Sequence, residues 1–176
     1  MNSILSKEPV KRAEKSIKEF DLNLKVIVLK QTARTANDAA TALGCKVGAI
    51  VKSLLFKAGE DFFLCLVSGD KRCSLNKLKK IFGEKDLSMA NPEDVKKITG
   101  YTIGGVSPVG HLIKTKILID ENLKNFKSIF AAAGHPNAVF EIDFQNLKEL
   151  TLGEIKEITE WENHKQLITY YWHCYL

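Results

Sequence analysis

Lys52 is the first candidate for a chemical role, because it lies in an apolar segment with the character of a strand. Residues 49–56 read AIVKSLLF, and strand alternation places Lys52 on the face that Ile50 and Leu54 share. Burying an unpaired ammonium is costly, so the side chain must either extend until its charge reaches solvent or point into a polar cavity. The first alternative makes Lys52 an ordinary strand lysine, and the second makes it a functional cation. The residues alone leave both open.

A glycine-rich segment, GYTIGGVSPVG at residues 100–110, is the second candidate. Four glycines and one proline in eleven positions predict a loop rather than a regular element. Its central residues present backbone N–H groups that few bulky side chains block, an arrangement that suits a developing oxyanion. The residues expected to bind substrate are Gly104, Gly105, Val106, Ser107, Pro108 and Gly110, together with Gly134 of a second glycine element, and the expected catalytic residues are Lys52 and His135. A purely structural turn is the alternative interpretation, and neither is favoured by the segment alone.

A second glycine element, AGHP at residues 133–136, follows an apolar strand. Gly134 and Pro136 restrict this turn, so His135 occupies a more rigid setting than the other histidines. His111 adjoins the glycine-rich loop, and the remaining two histidines belong to the C-terminal segment. A functional imidazole and one that merely satisfies the turn are both consistent with this pattern for His135.

The sequence lacks the common motifs of enzymes that use a serine nucleophile, a bound metal or a nucleotide cofactor. It contains no GxSxG, HExxH, P-loop or Rossmann motif, and its four cysteines match no CxxC or zinc spacing. We therefore expect no metal and no cofactor, and a reaction that needs little more than orientation and charge stabilisation. Cys65, within FFLCLV, is predicted to be a small buried apolar residue without a chemical role.

Helices and strands must position these segments. Apolar spacing, caps and glycine stops predict helices over residues 7–20, from the Thr35 cap to Gly44, from the Ser74 cap to Gly83, and from Asn91 and Pro92 through Ile98. Strands are predicted at residues 24–29, 49–56, 62–67, 117–119, 128–132 and 138–142, with two short helical turns around Thr151 in residues 144–161. Pairs of strands joined by hairpins occur beside pairs joined by helices, so the class is α+β with a mixed sheet.

Length, composition and net charge limit the number of domains and the kinds of partner that this chain can have. The 176 residues, 45% of them hydrophobic, suit a single domain with a substantial core, which we place at residues 1–160. The net charge of +5 arises from 26 basic and 21 acidic residues and suits a polyanionic partner. Most of the basic residues are lysines, which favours phosphate contact over the reading of bases. No segment is long and apolar enough for a membrane span and no signal peptide is visible, so we expect a soluble, cytoplasmic protein.

The C-terminal segment, residues 161–176, departs from this composition. It holds both tryptophans and three of the four tyrosines. It could be a terminal strand or helix docked on the domain, a non-native extension, or a contact for a partner or membrane surface. Its low charge and high β-propensity make it prone to aggregation wherever it is exposed.

Six blocks in this order resemble the YbaK/ProX-like aminoacyl-tRNA deacylases, relatives of the editing insertion domain of bacterial prolyl-tRNA synthetase. They are TAxxAAxxLG at residues 35–44, IVKSLLF at 50–56, SGDKR at 68–72, TGYTIGGVSPVG at 99–110, LID at 118–120 and AAAGHPNAVFEI at 131–142. The resemblance covers roughly residues 10–160. It implies a compact domain with a mixed, partly closed sheet surrounded by helices, and a cavity for the 3′ end of an aminoacylated tRNA.

The resemblance also implies roles for the candidate residues. Lys52 would orient the substrate and support the charged intermediate, and residues 104–108 would contact the aminoacyl ester and the terminal adenosine. In one branch of the family a histidine lines the pocket, and His135 resembles that histidine. Ser53 occupies a position at which some members of the family carry asparagine. Because an aminoacyl ester is already activated, water together with a substrate hydroxyl or thiol would complete the hydrolysis. The aromatic segment 161–176 has no counterpart in the family pattern.

The expected function is therefore trans-editing, the removal of a small non-cognate amino acid from tRNA, with proline tRNA carrying Ala, Cys, Ser or Thr as the first candidate. Prolyl-tRNA synthetase is the candidate protein partner. A non-catalytic module that binds aminoacyl-tRNA or a synthetase is the alternative within this fold. A regulatory protein that binds amino acids or nucleotides is the alternative from another class. The sequence identifies neither the amino acid removed nor the oligomeric state.

Overall fold

A computed structural model of the protein describes residues 3–31 and 33–161. Its helices are α1 (Glu8–Phe20), α2 (Ala36–Leu43), α3 (Leu75–Phe82), α4 (Pro92–Thr99) and α5 (Phe144–Thr151). Its strands are β1 (Val26–Val28), β2 (Ile50–Ala58), β3 (Asp61–Ser68), β4 (Lys71–Cys73), β5 (Leu87–Met89), β6 (Lys116–Asp120), β7 (Ile129–His135), β8 (Ala138–Ile142), β9 (Glu154–Lys156) and β10 (Thr159–Trp161). Short 3₁₀ turns occur at Val47–Ala49 and Glu121–Asn125.

The predicted hairpin, β2 and β3, forms the centre of the main sheet. Its antiparallel register runs from the Val51–Ser68 pair to the Ala58–Asp61 pair, and nearly every residue of both strands is buried. Strands buried on both faces read as continuous apolar runs, which is why Lys52 stands out in β2.

The main sheet has the order β1-β8-β7-β2-β3-β6-β9, and β5 pairs with the far end of β2. Parallel pairs, such as β2 with β7 and β3 with β6, occur in the same sheet as antiparallel ones, such as β2 with β3. The sheet curls into a half-barrel with helices around it, which confirms the predicted α+β class and the partly closed, mixed sheet. A separate two-stranded sheet joins β4 to β10.

Alternation along β2 divides its side chains between two faces. Val51 and Leu55 belong to the largest core cluster, which includes residues of α1, α4 and α5. Ile50 packs in the cluster that contains α2, and Leu54 packs in the cluster that contains Leu78 of α3. Lys52 therefore lies between these two smaller cores, on the face that its position in the strand predicts.

Local signals account for most helix boundaries. Thr35 forms a capping box with Asp38 at the start of α2, and Asn91 caps α4 by accepting a hydrogen bond from the Asp94 N–H. The predicted stop at Gly44 and the position of Ser74 before α3 are also confirmed. The Ser74 hydroxyl, however, makes no capping hydrogen bond.

Two predicted elements differ from the structure. The predicted second helical turn after Thr151 is wrong, because α5 ends at Thr151 and residues 154–156 and 159–161 form β9 and β10 instead. These strands are three residues long and exist through pairing with β6 and β4, which a local pattern does not reveal. The strand predicted at residues 24–29 shortens to β1, which lies at the sheet edge and is only half-buried.

Trp161, which begins the predicted C-terminal segment, is the last residue of β10 and pairs with Lys71. The rest of that segment, residues 162–176, lies outside the described residues. Within the described part of the chain, none of the helices has the length and apolarity needed to cross a bilayer.

Candidate active site

Lys52 is almost completely buried, with 5% of its surface exposed. Its ammonium Nζ donates a hydrogen bond to the backbone carbonyl oxygen of Lys71, the first residue of β4. The side chain does not extend to solvent, so its placement disfavours the alternative of an ordinary strand lysine. A buried ammonium held by a backbone acceptor provides a fixed positive charge inside the domain.

Ser53, the next residue of β2, points to the opposite face and is also fully buried. Its hydroxyl has no hydrogen-bond partner among the described residues. Buried hydroxyls normally have a partner, so Ser53 is an unusual polar group on the strand face that Val51 and Leu55 share.

The glycine-rich loop lies against the turn that contains His135. Gly104 has a φ of +88°, a conformation that glycine adopts readily and other residues rarely do. At Gly105 an added Cβ would lie 2.8 Å from both the N and Cα atoms of His135. The structure therefore brings the two glycine elements of the sequence into backbone contact, and only glycine fits at Gly105 without a shift.

Helix α1 anchors the other end of the loop. Arg12 Nε donates a 2.8 Å hydrogen bond to the Gly110 carbonyl, and the Arg12 guanidinium lies over the Tyr101 ring, 4.6 Å from its centroid. The Tyr101 hydroxyl donates to the Val109 carbonyl over 2.8 Å. Sequence reasoning missed Arg12 and Tyr101, although Arg12 is one of only three arginines in the chain.

His111, the residue directly after the glycine-rich loop, contacts the backbone of that loop. Its Nε2 lies 2.7 Å from the Ser107 carbonyl oxygen, and burial is the main cause that lowers its pKa below the ordinary 6.5. A neutral ring that donates from Nε2 satisfies that carbonyl. His111 therefore supports the loop, a role that its position next to the loop did not reveal.

The central loop residues Val106, Ser107 and Pro108 are buried. The hydrogen bonds of the described residues use the Gly105 and Val109 N–H groups but not those of Val106 and Ser107. These two amides are therefore candidate donors to an acceptor that does not belong to the described residues.

His135 terminates β7, and its ring is partly exposed. Its Nδ1 accepts a 3.1 Å hydrogen bond from the Asn137 N–H, so in the neutral ring the proton resides on Nε2. Burial, followed by the charge of Lys7, lowers its pKa below 6.5. At neutral pH His135 is therefore an uncharged donor through Nε2. The preceding Gly134 has a φ of +85° and packs against Pro9 at the start of α1.

Strand register relates Lys52 to the glycine-rich loop. Strands β2 and β7 pair only through Ile50–Phe130 and Val51–Ala131, and β5 pairs with β2 again only from Phe56. Lys52 is the first residue of β2 beyond the β7 pairing, while the loop contacts β7 at its diverging end, residues 134–135. Lys52 and the loop contact with β7 therefore both lie beyond the last β2–β7 pair, where the two strands diverge.

Two surface clefts lie near these elements. One, of about 340 Å³, extends from Pro108 and Gly110 to Leu150 at the end of α5. The other, of about 300 Å³, includes Lys71 and Trp161. In the latter the Lys71 ammonium lies over the Trp161 ring. Within residues 3–31 and 33–161, no three His, Cys, Asp or Glu side chains are grouped closely enough to hold a metal ion.

Lysines on α3 and α4 are the candidate contacts for a polyanion. Lys77 forms a 2.6 Å ion pair with Glu157, and Lys96 donates to the Gly100 carbonyl at 3.1 Å. These two lysines are therefore engaged within the domain. Lys79, Lys80 and Lys97 are the better candidates for contact with phosphates.

Comparison with known proteins assigns the family. Residues 30–150 match the family described as the aminoacyl-tRNA editing domain. Over 125 residues the chain is 34% identical to the proline–tRNA ligase of Thermosipho melanesiensis, covering 68% of this chain but only 22% of the ligase. Over 126 residues it is 30% identical to the Enterococcus faecalis protein named "Putative Cys-tRNA(Pro)/Cys-tRNA(Cys) deacylase EbsC", covering 71% of this chain and 77% of that protein.

Among solved structures, one described as a "putative trans-editing enzyme for prolyl tRNA synthetase" superimposes with a TM-score of 0.83 at 37% identity. The alignment covers 88% of this chain and 98% of that structure. The fold and the match to the family model together define an editing-domain protein. The chain belongs to the YbaK-like aminoacyl-tRNA editing family.

Proposed function

We propose that this protein is a trans-editing deacylase that hydrolyses the ester between a small non-cognate amino acid and tRNA. The family match supports deacylation in general. The similarity to proline–tRNA ligases and to the relative named for Cys-tRNA(Pro) favours proline tRNA as the substrate. Alanine, cysteine, serine and threonine are the candidate amino acids, and the ligase itself is the candidate partner.

The catalytic proposal starts from the burial of the Lys52 ammonium. Attack on the ester carbonyl creates a tetrahedral oxyanion, and a positive charge inside a domain stabilises such an anion more strongly than it would in water. The Val106 and Ser107 N–H groups are the proposed backbone donors to the substrate. We place the bound ester at the point where β2 and β7 diverge, because Lys52 follows the last β7 pair and the loop contacts β7 just beyond it.

The reaction itself needs no covalent intermediate with the protein. Water adds to the carbonyl carbon, the bond from that carbon to the ribose oxygen breaks, and the ribose hydroxyl leaves with a proton. A neighbouring ribose hydroxyl can accept and pass on the proton from the attacking water. His135, neutral and protonated on Nε2, is proposed to donate a hydrogen bond that orients the substrate rather than to act as a base.

The single observation that carries this proposal is the buried, carbonyl-bound Lys52 in a chain of the editing family. The test is a deacylation panel in which purified protein meets each labelled aminoacyl-tRNA and release of the amino acid is timed against buffer alone. Release from misacylated proline tRNA, absent in Lys52→Met, is the expected result. If no member of the panel loses its amino acid faster than in buffer while the protein still binds aminoacyl-tRNA, a non-catalytic binding module replaces the enzyme.

A further inference from the structure

The buried carboxylate of Asp120, at the end of β6, is the starting point for a second assignment. Asp120 is 0% exposed. Its Oδ2 accepts a 3.1 Å hydrogen bond from the Ser68 N–H, and its Oδ1 accepts bonds from Asn122 and from the Thr159 hydroxyl at 3.2 Å. We propose that Asp120 is the positioning residue for Lys52, because it fixes the backbone that presents the Lys71 carbonyl to the ammonium. This inference rests on the proposed function and deepens it.

The first connection runs through the turn between β3 and β4. Ser68, which Asp120 holds by its N–H, begins this turn, and Lys71 follows it after two residues. The Ser68 hydroxyl lies 2.7 Å from the Gly48 carbonyl oxygen and 2.9 Å from Asp70 Oδ1, and its single proton is donated to one of these two acceptors. The Asp120 carboxylate therefore fixes the backbone at Ser68. Three residues later the same backbone presents the Lys71 carbonyl, which accepts the hydrogen bond from Lys52.

The second connection runs through the two-stranded sheet. Thr159 is the first residue of β10, and β10 pairs with β4 through Thr159–Cys73 and Trp161–Lys71. The Thr159 hydroxyl donates to Asp120 and accepts from Asn122 Nδ2 at 3.1 Å. Asp120 thus holds both the turn before β4, through Ser68, and the strand β10 that pairs with β4, through Thr159. Lys71, the first residue of β4, lies between these two attachments.

Charge adds to this geometry. Lys52 pairs across the hairpin with Val67, and Asp120 follows Ile119, which pairs with Leu66. The Lys52 and Asp120 side chains therefore lie on the same face of the sheet, on the two strands that flank β3, with Cα atoms about 10 Å apart at the usual strand spacing. A buried carboxylate on the same face offsets part of the penalty of burying the Lys52 charge.

The test measures the position of Lys52 without tRNA. Sulfo-N-hydroxysuccinimide acetate is applied at low dose, and mass spectrometry compares acetylation of Lys52 with that of exposed Lys148. We expect slow acetylation of Lys52 in the natural protein and at least a fivefold increase in Asp120→Asn and in Thr159→Val, whereas Thr159→Ser, which keeps the hydroxyl, restores protection. Thr41→Val, which removes the hydroxyl of an α2 residue, serves as the matched control and leaves Lys52 protected.

Two further measurements separate positioning from a loss of fold and from failure of the proposed function. Cys65, fully buried on β3, must stay unreactive towards a maleimide in every variant used, which excludes global opening. If the natural protein deacylates tRNA, Asp120→Asn should lower kcat at least tenfold with KM unchanged. In a protein that already carries Lys52→Met, adding Asp120→Asn should not lower kcat further. Unchanged Lys52 acetylation in both Asp120→Asn and Thr159→Val overturns the inference, whatever the deacylation panel shows.

Discussion

The Lys52 ammonium and the Lys71 carbonyl oxygen, nineteen residues apart in the sequence, form a buried hydrogen bond between the central hairpin and the small two-stranded sheet. This bond holds a charged group of β2 at the place where β2 loses its β7 partner. It therefore makes Lys52 the most informative position for substitution.

Lys52→Met should abolish most deacylation while the protein remains folded. Methionine keeps most of the aliphatic stem and removes the charge, and loss of an oxyanion donor lowers the rate by about a hundredfold or more. The Lys71 carbonyl loses its donor, which should cost about 1–3 kcal/mol of unfolding free energy. Single-turnover deacylation and chemical denaturation measure the two effects. Lys57→Met, the same change at a half-buried position of the same strand, is the control and should deacylate normally.

His135 should tolerate glutamine better than leucine. The neutral imidazole donates from Nε2, and a glutamine amide places an N–H donor at a similar distance from the backbone. We expect His135→Gln to keep its rate within a few-fold and His135→Leu to lose about tenfold, the effect of one hydrogen bond. Deacylation rates at pH 7.5 test this. Equal rates for the two variants would show that the His135 N–H does not contact the substrate.

Gly105→Ala should impair deacylation through the loop. The added Cβ would come within 2.8 Å of the His135 backbone, so the loop must move, and a displacement of about 1 Å can cost about a hundredfold in rate. Gly83→Ala is the control. Gly83 has open space and a φ of +64°, so alanine there should cost about 1 kcal/mol of stability without changing the rate. A Gly105→Ala variant as active as the natural protein would remove the loop from the proposed site.

Binding of tRNA should weaken steeply with salt, because lysines that contact phosphates release counterions. Glutamate at Lys79, Lys80 and Lys97 together should lower the affinity and make the slope of log K against log salt shallower by about 0.9 per lost contact. Filter binding between low and physiological salt measures the slope. Lys148→Glu on α5 is the control for net charge. If the triple variant keeps the natural slope, these lysines are only a solvated surface.

Stability should depend on pH through His111. Its pKa in the folded protein is lowered, chiefly by burial, so the unfolded chain binds more protons just below pH 6.5. The free energy of unfolding should therefore rise with pH up to about 6.5 and change little from this source above it. His111→Gln keeps a donor for the Ser107 carbonyl and removes the titration. Urea unfolding from pH 5 to 8 should give a flatter curve for this variant, and an identical curve would contradict the assignment.

Much of the fold could be predicted because its signals are local. The Thr35 capping box, the β2–β3 hairpin and the irregular loop at residues 100–110 each depend on neighbouring residues. The short strands β9 and β10 could not be predicted, since they form only by pairing with β6 and β4.

The same distinction holds for the candidate site. Residue types identified Lys52, the glycine-rich loop and His135 as the groups worth examining. Their surroundings depend on contacts that no local pattern encodes, such as the Lys71 carbonyl beside Lys52, the His135 backbone against Gly105 and the Arg12 guanidinium on the loop. Sequence thus indicates the chemical groups, and tertiary structure supplies their orientation.

The pairing of β10 with β4 has a consequence for synthesis of the protein on the ribosome. A growing chain that has emerged only as far as residue 150 already contains Lys52, the glycine-rich loop and His135, yet it lacks the strand that supports Lys71. The Lys52 ammonium would reach its final orientation only after residues 159–161 leave the exit tunnel. If Lys52 is needed for activity as proposed, that activity should be acquired in one late step of synthesis.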